Sequence, residues 1–201
     1  MLDARLRPLI DPPLNILGRG LARLGIGANA VTLAGLLPAV GAAWALAERQ
    51  FLLALGLILA NRLLDGLDGA VARARGLTDF GGFLDIVADF VFYVAVPIGF
   101  ALAAPDNVLP ALVLVASFTL TGASFLAFAA LAAKRGLETS AHGRKSFFYN
   151  TGLAEGTETI LVFCAMCLWP QHFAAIAYGY AALCLLTVAQ RTLIARAMFR
   201  D

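Results

Sequence analysis

The chain has 201 residues and a net charge of +2 at pH 7, and 61% of its residues are hydrophobic while 14% are charged. A soluble domain usually has charge on about a quarter of its residues. This composition, with a mean hydropathy of +0.83, therefore excludes an ordinary soluble domain. We expect an all-α, polytopic membrane protein without a nucleic-acid partner.

The first 28 residues differ from the rest, and we treat residues 1–28 as an amphipathic juxtamembrane segment. Basic side chains alternate there with leucine and isoleucine, the arginines being Arg5, Arg7, Arg19 and Arg23. This pattern predicts one or two helices lying in the membrane interface. Because proline is unfavourable inside a helix, we expect an interruption at Pro12 and Pro13.

Residues 29–201 form the second unit, a transmembrane catalytic domain for which we predict six membrane-spanning helices. A helix needs about 20 mostly apolar residues to cross a bilayer, and short polar breaks divide this unit into runs of roughly that length. The predicted spans are residues 30–47, 51–72, 79–104, 108–133, 147–169 and 173–195.

The basic residues between the spans fall almost entirely on one side of this arrangement, and Arg49 lies on the other. Cytoplasmic loops of membrane proteins carry the excess of lysine and arginine. This rule predicts that both termini face the cytoplasm. It predicts the same side for the acidic residues described next.

Aspartates in the second and third spans are the most informative feature of the chain. Asp65 and Asp68 are three residues apart, and Asp85 and Asp89 are four apart, so each pair lies on one face of its helix. Ionised groups are costly in a hydrophobic span and usually have a function. Four converging carboxylates would repel one another unless a cation lay between them. The pattern therefore predicts a site for a hard divalent cation.

Three functions could use such a site. The first is metal-assisted transfer of a phosphate-containing group, in which paired metals bind a pyrophosphate. The second is transport of cations or protons through the intramembrane aspartates, which the position of the charges at one side of the spans disfavours. The third is an ion-pair network with Arg62, Arg73 and Arg75, which would place several costly charges in the span for little stability.

One longer pattern carries a family resemblance, and it reads Asp65-x-x-Asp68-Gly69-x-x-Ala72-Arg73 followed by Gly81-x-x-x-Asp85-x-x-x-Asp89. It resembles the signature of the CDP-alcohol phosphatidyltransferases, and the six-span layout and amphipathic N-terminal segment resemble that family too. The turn between Arg73 and Gly81 is shorter than family members usually have. The helix pairing should survive this difference, because it lies in the turn.

The resemblance implies metal-dependent transfer of a phosphatidyl group from a CDP-linked lipid, usually CDP-diacylglycerol, to a hydroxyl-bearing acceptor, with release of CMP. Glycerol 3-phosphate or another polar alcohol would be the acceptor, and the reaction would belong to phospholipid biosynthesis. The resemblance further implies Mg²⁺ or Mn²⁺ as cofactor, as two ions. It also implies a homodimer in the inner (cytoplasmic) membrane of a bacterium.

The family pattern also implies roles for individual residues. The implied metal ligands are Asp65, Asp68, Asp85 and Asp89. Asp89 would in addition be the catalytic base that deprotonates the acceptor hydroxyl. The implied CDP-binding residues are Asp65, Gly69, Ala72 and Arg73.

A second polar group follows the fourth predicted span. Arg144 and Lys145 could hold an anionic acceptor or a lipid phosphate, or they could serve only as the positive anchor of the fifth span. Glu155 and Glu158, deeper in the same span, could bind a polyol or pair with Arg62 or Arg191. We predict Arg144, Lys145, Glu155 and Arg191 as acceptor- or phosphate-binding residues.

Overall fold

The computed structural model describes residues 3–136 and 156–199. Within these two ranges the chain has no strand, which confirms the predicted all-α class. The described helices are α1 (Asp3–Arg23), α2 (Ala28–Ala47), α3 (Phe51–Arg75), α4 (Asp79–Ala103), α5 (Val108–Lys134), α6 (Gly156–Leu168) and α7 (Phe173–Met198). Short 3₁₀ turns precede α5 and α7, at Pro105–Asn107 and Pro170–His172.

The helix bounds agree with five of the predicted spans to within three residues, since α2, α3, α4, α5 and α7 begin and end close to the predicted positions. Among the described residues, four helical segments are long and apolar enough to cross a membrane, namely Ala28–Ala47, Asp79–Ala103, Pro105–Lys134 and Pro170–Met198. Helix α3 carries the charged residues of the motif, and α6 is described only from Gly156. The count of six spans and the orientation of the termini therefore stay predictions.

The predicted interruption of the N-terminal segment is wrong, because α1 runs as one helix through Pro8, Pro12 and Pro13. All three prolines lie on its exposed face, where the carbonyls that lose their helical partners can bond to water or lipid headgroups. On the opposite face Leu14 is buried and packs with residues of α3. Tertiary packing thus outweighs the local cost of the prolines.

Helices α3 and α4 carry the aspartate pattern, and we call them the motif helices. Helix α2 packs against both of them. Its contact with α4 is close, since a Cβ atom on Gly99 would lie 2.6 Å from the carbonyl oxygen of Ala43. Small residues permit such contacts between helices in lipid. Helix α5 packs on α4 and α7, α6 packs on α3, and α1 lies along α3.

Aromatic side chains fill the bundle at the end away from the aspartates. The rings of Phe100 and Phe173 are stacked with their centroids 4.4 Å apart, and Phe51 stacks on Phe100 at 6.1 Å. We call these three residues the distal core. They join the start of α3 to the end of α4 and the start of α7.

A short turn brings the other ends of α3 and α4 together. Helix α3 ends at Arg75, and the C-cap residue Gly76 has a φ of 109°, which favours glycine. Helix α4 then begins after Thr78, whose side-chain oxygen accepts a hydrogen bond from the Gly81 backbone N–H at 3.0 Å. This N-cap fixes the first turn of α4 and so the direction in which its aspartates point.

Candidate active site

Three carboxylates converge near the turn between α3 and α4. One oxygen of each of Asp65, Asp68 and Asp85 lies within 4.8 Å of the others. Asp65 and Asp68 project from one face of α3, and Asp85 projects from the second turn of α4. The structure thus brings together three of the four aspartates that the sequence pattern singled out.

Asp68 is the most deeply buried of the three, with 5% of its surface exposed. Its Oδ2 atom is buried and has no hydrogen-bond partner among the described residues. A buried carboxylate oxygen without a donor is costly, and neighbouring carboxylates add repulsion. Hard divalent cations take carboxylate oxygens as ligands. The donor set therefore fits Mg²⁺ or Mn²⁺.

Asp89 lies one turn beyond Asp85, and an arginine of α3 binds it. The Nη1 atom of Arg62 donates to Oδ1 of Asp89 at 2.9 Å and lies 3.6 Å from Oδ2 of Asp65. Among the described side chains, the group of converging oxygens does not include Asp89. Its implied roles as metal ligand and catalytic base stay predictions.

A cavity of about 290 Å³ lies on one side of the carboxylates, with Asp68 and Asp85 in its wall. Two of the predicted CDP-binding residues, Gly69 and Ala72, also line it. Further lining residues are Asn29, Thr32, Leu77, Thr78 and Gly81. The small side chains on this face leave room for a ligand next to the backbone of α3.

In the sequence, Asn29 and Thr32 open the first predicted span and are explained by helix capping. The structure places both in the cavity wall. Both lie in the first two turns of α2, where polar residues are also expected for capping. In the structure the N-cap position is Gly27, and no side chain caps the helix there. Their place in the cavity wall depends on the packing of α2 against α3, which no local pattern reveals.

Arg73, another predicted CDP-binding residue, lies next to Gly69 and is anchored to α1. Its Nε and Nη2 atoms donate to Oδ1 of Asn15 at 3.2 and 3.0 Å. Its Nη1 atom lies 3.3 Å from the position that a Cβ atom on Gly69 would take. The guanidinium therefore lies over Gly69, one of the residues that line the cavity.

The small residues of α3 have two separate uses. A Cβ atom on Gly18 of α1 would lie 2.6 Å from the Cβ atom of Ala70, and one on Gly66 would lie 2.7 Å from Cδ1 of Leu14. Gly66 and Ala70 thus admit α1 at close range, whereas Gly69 faces the cavity. The N-terminal helix is in this way a direct support of the helix that carries the motif.

A larger cavity of about 440 Å³ adjoins the carboxylates, with Asp65 and Asp89 in its wall. Arg191 of α7, one of the predicted acceptor-binding residues, lines it as well. The Nη1 atom of Arg191 donates to the Thr121 carbonyl oxygen at 2.8 Å and to Oγ of Ser124 at 2.6 Å. The aspartates of the motif therefore contribute to two cavities, one of which also holds an arginine from α7.

The other three predicted acceptor-binding residues, Arg144, Lys145 and Glu155, lie outside the described residues. Their predicted role is not tested by the structure.

Known proteins resemble the chain over about half of its length or more. The family model of the CDP-alcohol phosphatidyltransferase matches residues 26–195. The inner membrane protein YnjF of Escherichia coli is 52% identical over 192 residues, which are 95% of this chain and 93% of the relative. The archaetidylinositol phosphate synthase of Pyrococcus horikoshii is 41% identical over 101 residues, which are 49% of this chain and 53% of that protein.

Solved structures share the fold. The phosphatidylinositol phosphate synthase PgsA1 of Mycobacterium tuberculosis with CDP-DAG bound has a TM-score of 0.71 and 22% identity, over 89% of this chain and 91% of that one. The same protein in complex with manganese and citrate has a TM-score of 0.72 and 22% identity, over 89% and 87% of the two chains. At this identity the likeness shows that the chains share a fold.

Proposed function

Since the chain belongs to the CDP-alcohol phosphatidyltransferase family and is an enzyme of that class, we propose that it transfers a phosphatidyl group from CDP-diacylglycerol to a polar alcohol that carries a phosphate, and releases CMP. The converging carboxylates of Asp65, Asp68 and Asp85, with cavities on their two sides, are the observation that carries this proposal. One cavity would hold the donor and the other the acceptor.

We assign the smaller cavity to the CDP group of the donor. Gly69 and Ala72 leave space for a flat nucleotide beside α3, and the guanidinium of Arg73, which lies next to Gly69, would bind a phosphate of the donor. The PgsA1 structure, which shares the fold, contains CDP-DAG, and this supports a donor of the same class.

Asp65, Asp68 and Asp85 would hold Mg²⁺ or Mn²⁺. When bound, such a cation neutralises charge on the diphosphate and on the departing CMP. The unpaired oxygen of Asp68 and the manganese in the PgsA1 complex support this assignment. The number of ions, which we expect to be two, stays a prediction, as does a ligand role for Asp89.

Asp89 would be the general base. It lies in the wall of the larger cavity, beside the carboxylates at which the donor diphosphate would be held. The acceptor oxygen would form a bond to the β-phosphorus while the bond from that phosphorus to the CMP oxygen breaks. Asp89 would receive the proton of the acceptor hydroxyl, which is the role expected of a carboxylate within hydrogen-bond reach of the attacking group.

The acceptor would bind in the larger cavity through its phosphate. Arg191 is half-buried in the wall of that cavity, and a guanidinium is well suited to a phosphate group. We keep Arg144, Lys145 and Glu155 as predicted contributors. Two of the similar proteins are named archaetidylinositol phosphate synthase and phosphatidylinositol phosphate synthase. These two names support a phosphorylated polyol as the acceptor.

The alternative of a cation- or proton-coupled transporter is not supported. The family model covers residues 26–195, which include every aspartate of the motif. The relatives with assigned reactions in their names are synthases.

We also propose a homodimer whose site faces the cytoplasm. The E. coli relative is an inner membrane protein, and the four apolar helices fit a multi-pass membrane protein. The one-sided distribution of arginine and lysine supports the cytoplasmic side. Crosslinking in native membranes would test the dimer.

The test of the reaction is an acceptor panel. Purified full-length protein in detergent is incubated with Mg²⁺, CDP-diacylglycerol and, in turn, glycerol 3-phosphate, inositol 1-phosphate, serine or ethanolamine. We expect CMP release and a new lipid, identified by mass spectrometry, with a phosphorylated alcohol. The absence of CMP with every acceptor, singly and pooled, would contradict the proposed reaction. Turnover with only serine or ethanolamine would contradict the proposal that the acceptor carries a phosphate.

A further inference from the structure

Arg62 of α3 contacts an aspartate on each of the two motif helices. Its Nη1 atom lies 2.9 Å from Oδ1 of Asp89 and 3.6 Å from Oδ2 of Asp65. We propose that Arg62 is a positioning residue for the transfer reaction, which orients the Asp89 carboxylate toward the acceptor hydroxyl. This inference rests on the proposed function, because it assumes that Asp89 is the base.

The guanidinium of Arg62 is itself held in place by a hydrogen bond to Asn61. Its Nε atom donates to Oδ1 of Asn61 at 2.8 Å, and the Nδ2 atom of Asn61 donates to the Gly35 carbonyl oxygen of α2 at 2.8 Å. Asn61 is buried, with 5% of its surface exposed. Only one orientation of its amide can both accept from an arginine and donate to a carbonyl. A chain of three hydrogen bonds thus runs from α2 to Asp89.

An aromatic ring fixes the plane of the same guanidinium. The Cζ atom of Arg62 lies 4.0 Å from the centroid of the Phe92 ring. Phe92 follows Asp89 by three residues, so both lie on the same face of α4. The ring contacts the face of the guanidinium and the carboxylate accepts from its edge, as stacking and charge-assisted hydrogen bonding require. Arg62 therefore has little freedom to reorient when substrates bind.

Arg62 leaves Asp89 accessible from the larger cavity. The side chain of Asp89 is 32% exposed, whereas that of Arg62 is 11% exposed. A carboxylate has about four lone-pair sites, and among the described residues Asp89 accepts only this one hydrogen bond, at Oδ1. Lone pairs of Asp89 therefore remain for an acceptor hydroxyl in the cavity. We infer that Arg62 acts through Asp89, although Arg62 also reaches the cavity wall.

An ion pair that only stabilised the packing of α3 against α4 would have the same geometry. A second arginine of the chain provides a control for this alternative. Arg49, just before α3, donates from Nε to the Ala103 carbonyl oxygen at the end of α4, at 2.9 Å. This contact also joins the two helices, but at the end away from the aspartates. Replacing Arg49 removes an arginine contact between the same two regions without touching the site.

The experiment compares Arg62→Gln, Arg62→Lys and Arg49→Gln in full-length protein, with CDP-diacylglycerol, Mg²⁺ and the acceptor that the panel identifies. We expect Arg62→Gln to lower kcat by about 10- to 100-fold, because a misaligned base costs roughly that much, while KM for both substrates stays within about twofold of wild type. Arg62→Lys should retain more activity than Arg62→Gln, since it keeps the charge but not the planar fork. Arg49→Gln should keep the wild-type kcat.

A double-mutant cycle then separates positioning from folding. In an Asp89→Asn background, Arg62→Gln should lower the residual rate of CMP release by less than about twofold, because residues that act as one unit are not additive. Binding of CDP-diacylglycerol and elution as a single species in detergent verify folding. If Arg62→Gln does not fold, Arg62→Lys serves in the same cycle.

Several outcomes would overturn the inference while leaving the proposed function intact. The first is a kcat within twofold of wild type in both Arg62 variants, and the second is a rise in the acceptor KM alone. The third is a double variant whose rate of CMP release falls by the full product of the two single-variant losses. The rise in KM would show that Arg62 binds the acceptor directly. By contrast, a normal rate for Asp89→Asn, or no CMP from wild type with the pooled acceptors, would remove the proposed function itself.

Discussion

Helices α3 and α4 have two ends built from different kinds of residues. The motif end, residues 61–75 and 79–89, contains the aspartates and adjoins both cavities. The distal end, residues 48–58 and 96–107, contains Phe51 and Phe100 of the distal core and the tight contact of Gly99 with α2. The same pair of helices is thus open and charged at one end and closely packed at the other.

This difference indicates how the chain separates stability from chemistry. At the motif end a carboxylate oxygen of Asp68 is buried without a donor among the described residues, which destabilises the fold. At the distal end stacked rings fill the space between helices, which stabilises it. Substitutions at the motif end should therefore lower turnover more than stability, and those at the distal end should do the opposite.

The largest effect is expected from Asp68→Asn. Removing a charge from the converging carboxylates should weaken metal binding and lower CMP release by about 10³-fold or more, as expected when a main electrostatic element is lost. EDTA should have the same effect on the wild type. The melting temperature should stay the same or rise slightly, because carboxylate repulsion decreases.

Asp106→Asn is the control for this variant, since Asp106 is exposed in the 3₁₀ turn at the distal end. It should keep full activity. Turnover of Asp68→Asn near the wild-type rate, or turnover that survives EDTA, would contradict the metal site and with it the contrast between the two ends.

Asp89→Asn should have the next largest effect. Asparagine has nearly the same shape but cannot take up the acceptor proton, so the rate of CMP release should fall by about 10²- to 10³-fold. Binding of CDP-diacylglycerol, measured by equilibrium binding in detergent, should stay close to wild type because Asp89 lines the other cavity. A normal rate would exclude the base role, and a loss of donor binding would show that the two cavities are not independent.

A smaller effect is expected from Gly18→Ala in α1, which supports the motif end from outside. The new Cβ atom would lie 2.6 Å from the Cβ atom of Ala70, so α1 or α3 must shift. We expect CMP release to fall about threefold to tenfold, because small displacements of positioned groups are costly. Gly20→Ala is the matched control on the same helix, since nothing lies within 4 Å of its added Cβ atom. Equal rates for the two variants would show that α1 does not support the site.

Much of the fold could be predicted from the sequence, because apolar runs and polar breaks set the helix bounds independently of tertiary contacts. The convergence of Asp65, Asp68 and Asp85 could also be predicted, since helix periodicity places each pair on one face and the turn between α3 and α4 is short. The continuity of α1 could not. It depends on packing against α3, which outweighs the local preference of its prolines.

The partners of single side chains were less predictable. The sequence allowed an ion pair of Arg62 with the aspartates or with Glu155, but which aspartate Arg62 contacts depends on how α4 is rotated relative to α3. Asn61 gave no signal of its own, since a lone asparagine in a span is compatible with many roles. The position of Asn29 at the start of a span is explained by capping alone. Local patterns determine which face of a helix is polar. The packing of several helices determines what that face contacts.

The smallest effect on turnover is expected from Phe100→Ala, which tests the distal end directly. The Phe100 side chain is fully buried and its ring stacks on Phe173, so its removal leaves a cavity. In soluble cores such a change costs about 3–5 kcal/mol. The cost should be smaller here, because lipid is as apolar as the side chain and only packing is lost. We expect a midpoint of thermal inactivation several degrees lower, with kcat of the folded protein within about twofold of wild type. Leu102→Ala is the control, since Leu102 is 70% exposed two residues along the same helix, and its midpoint should barely change. A fall in kcat as large as that of Asp89→Asn would mean that packing at the distal end sets the alignment of the aspartates, so that the two ends act as one unit.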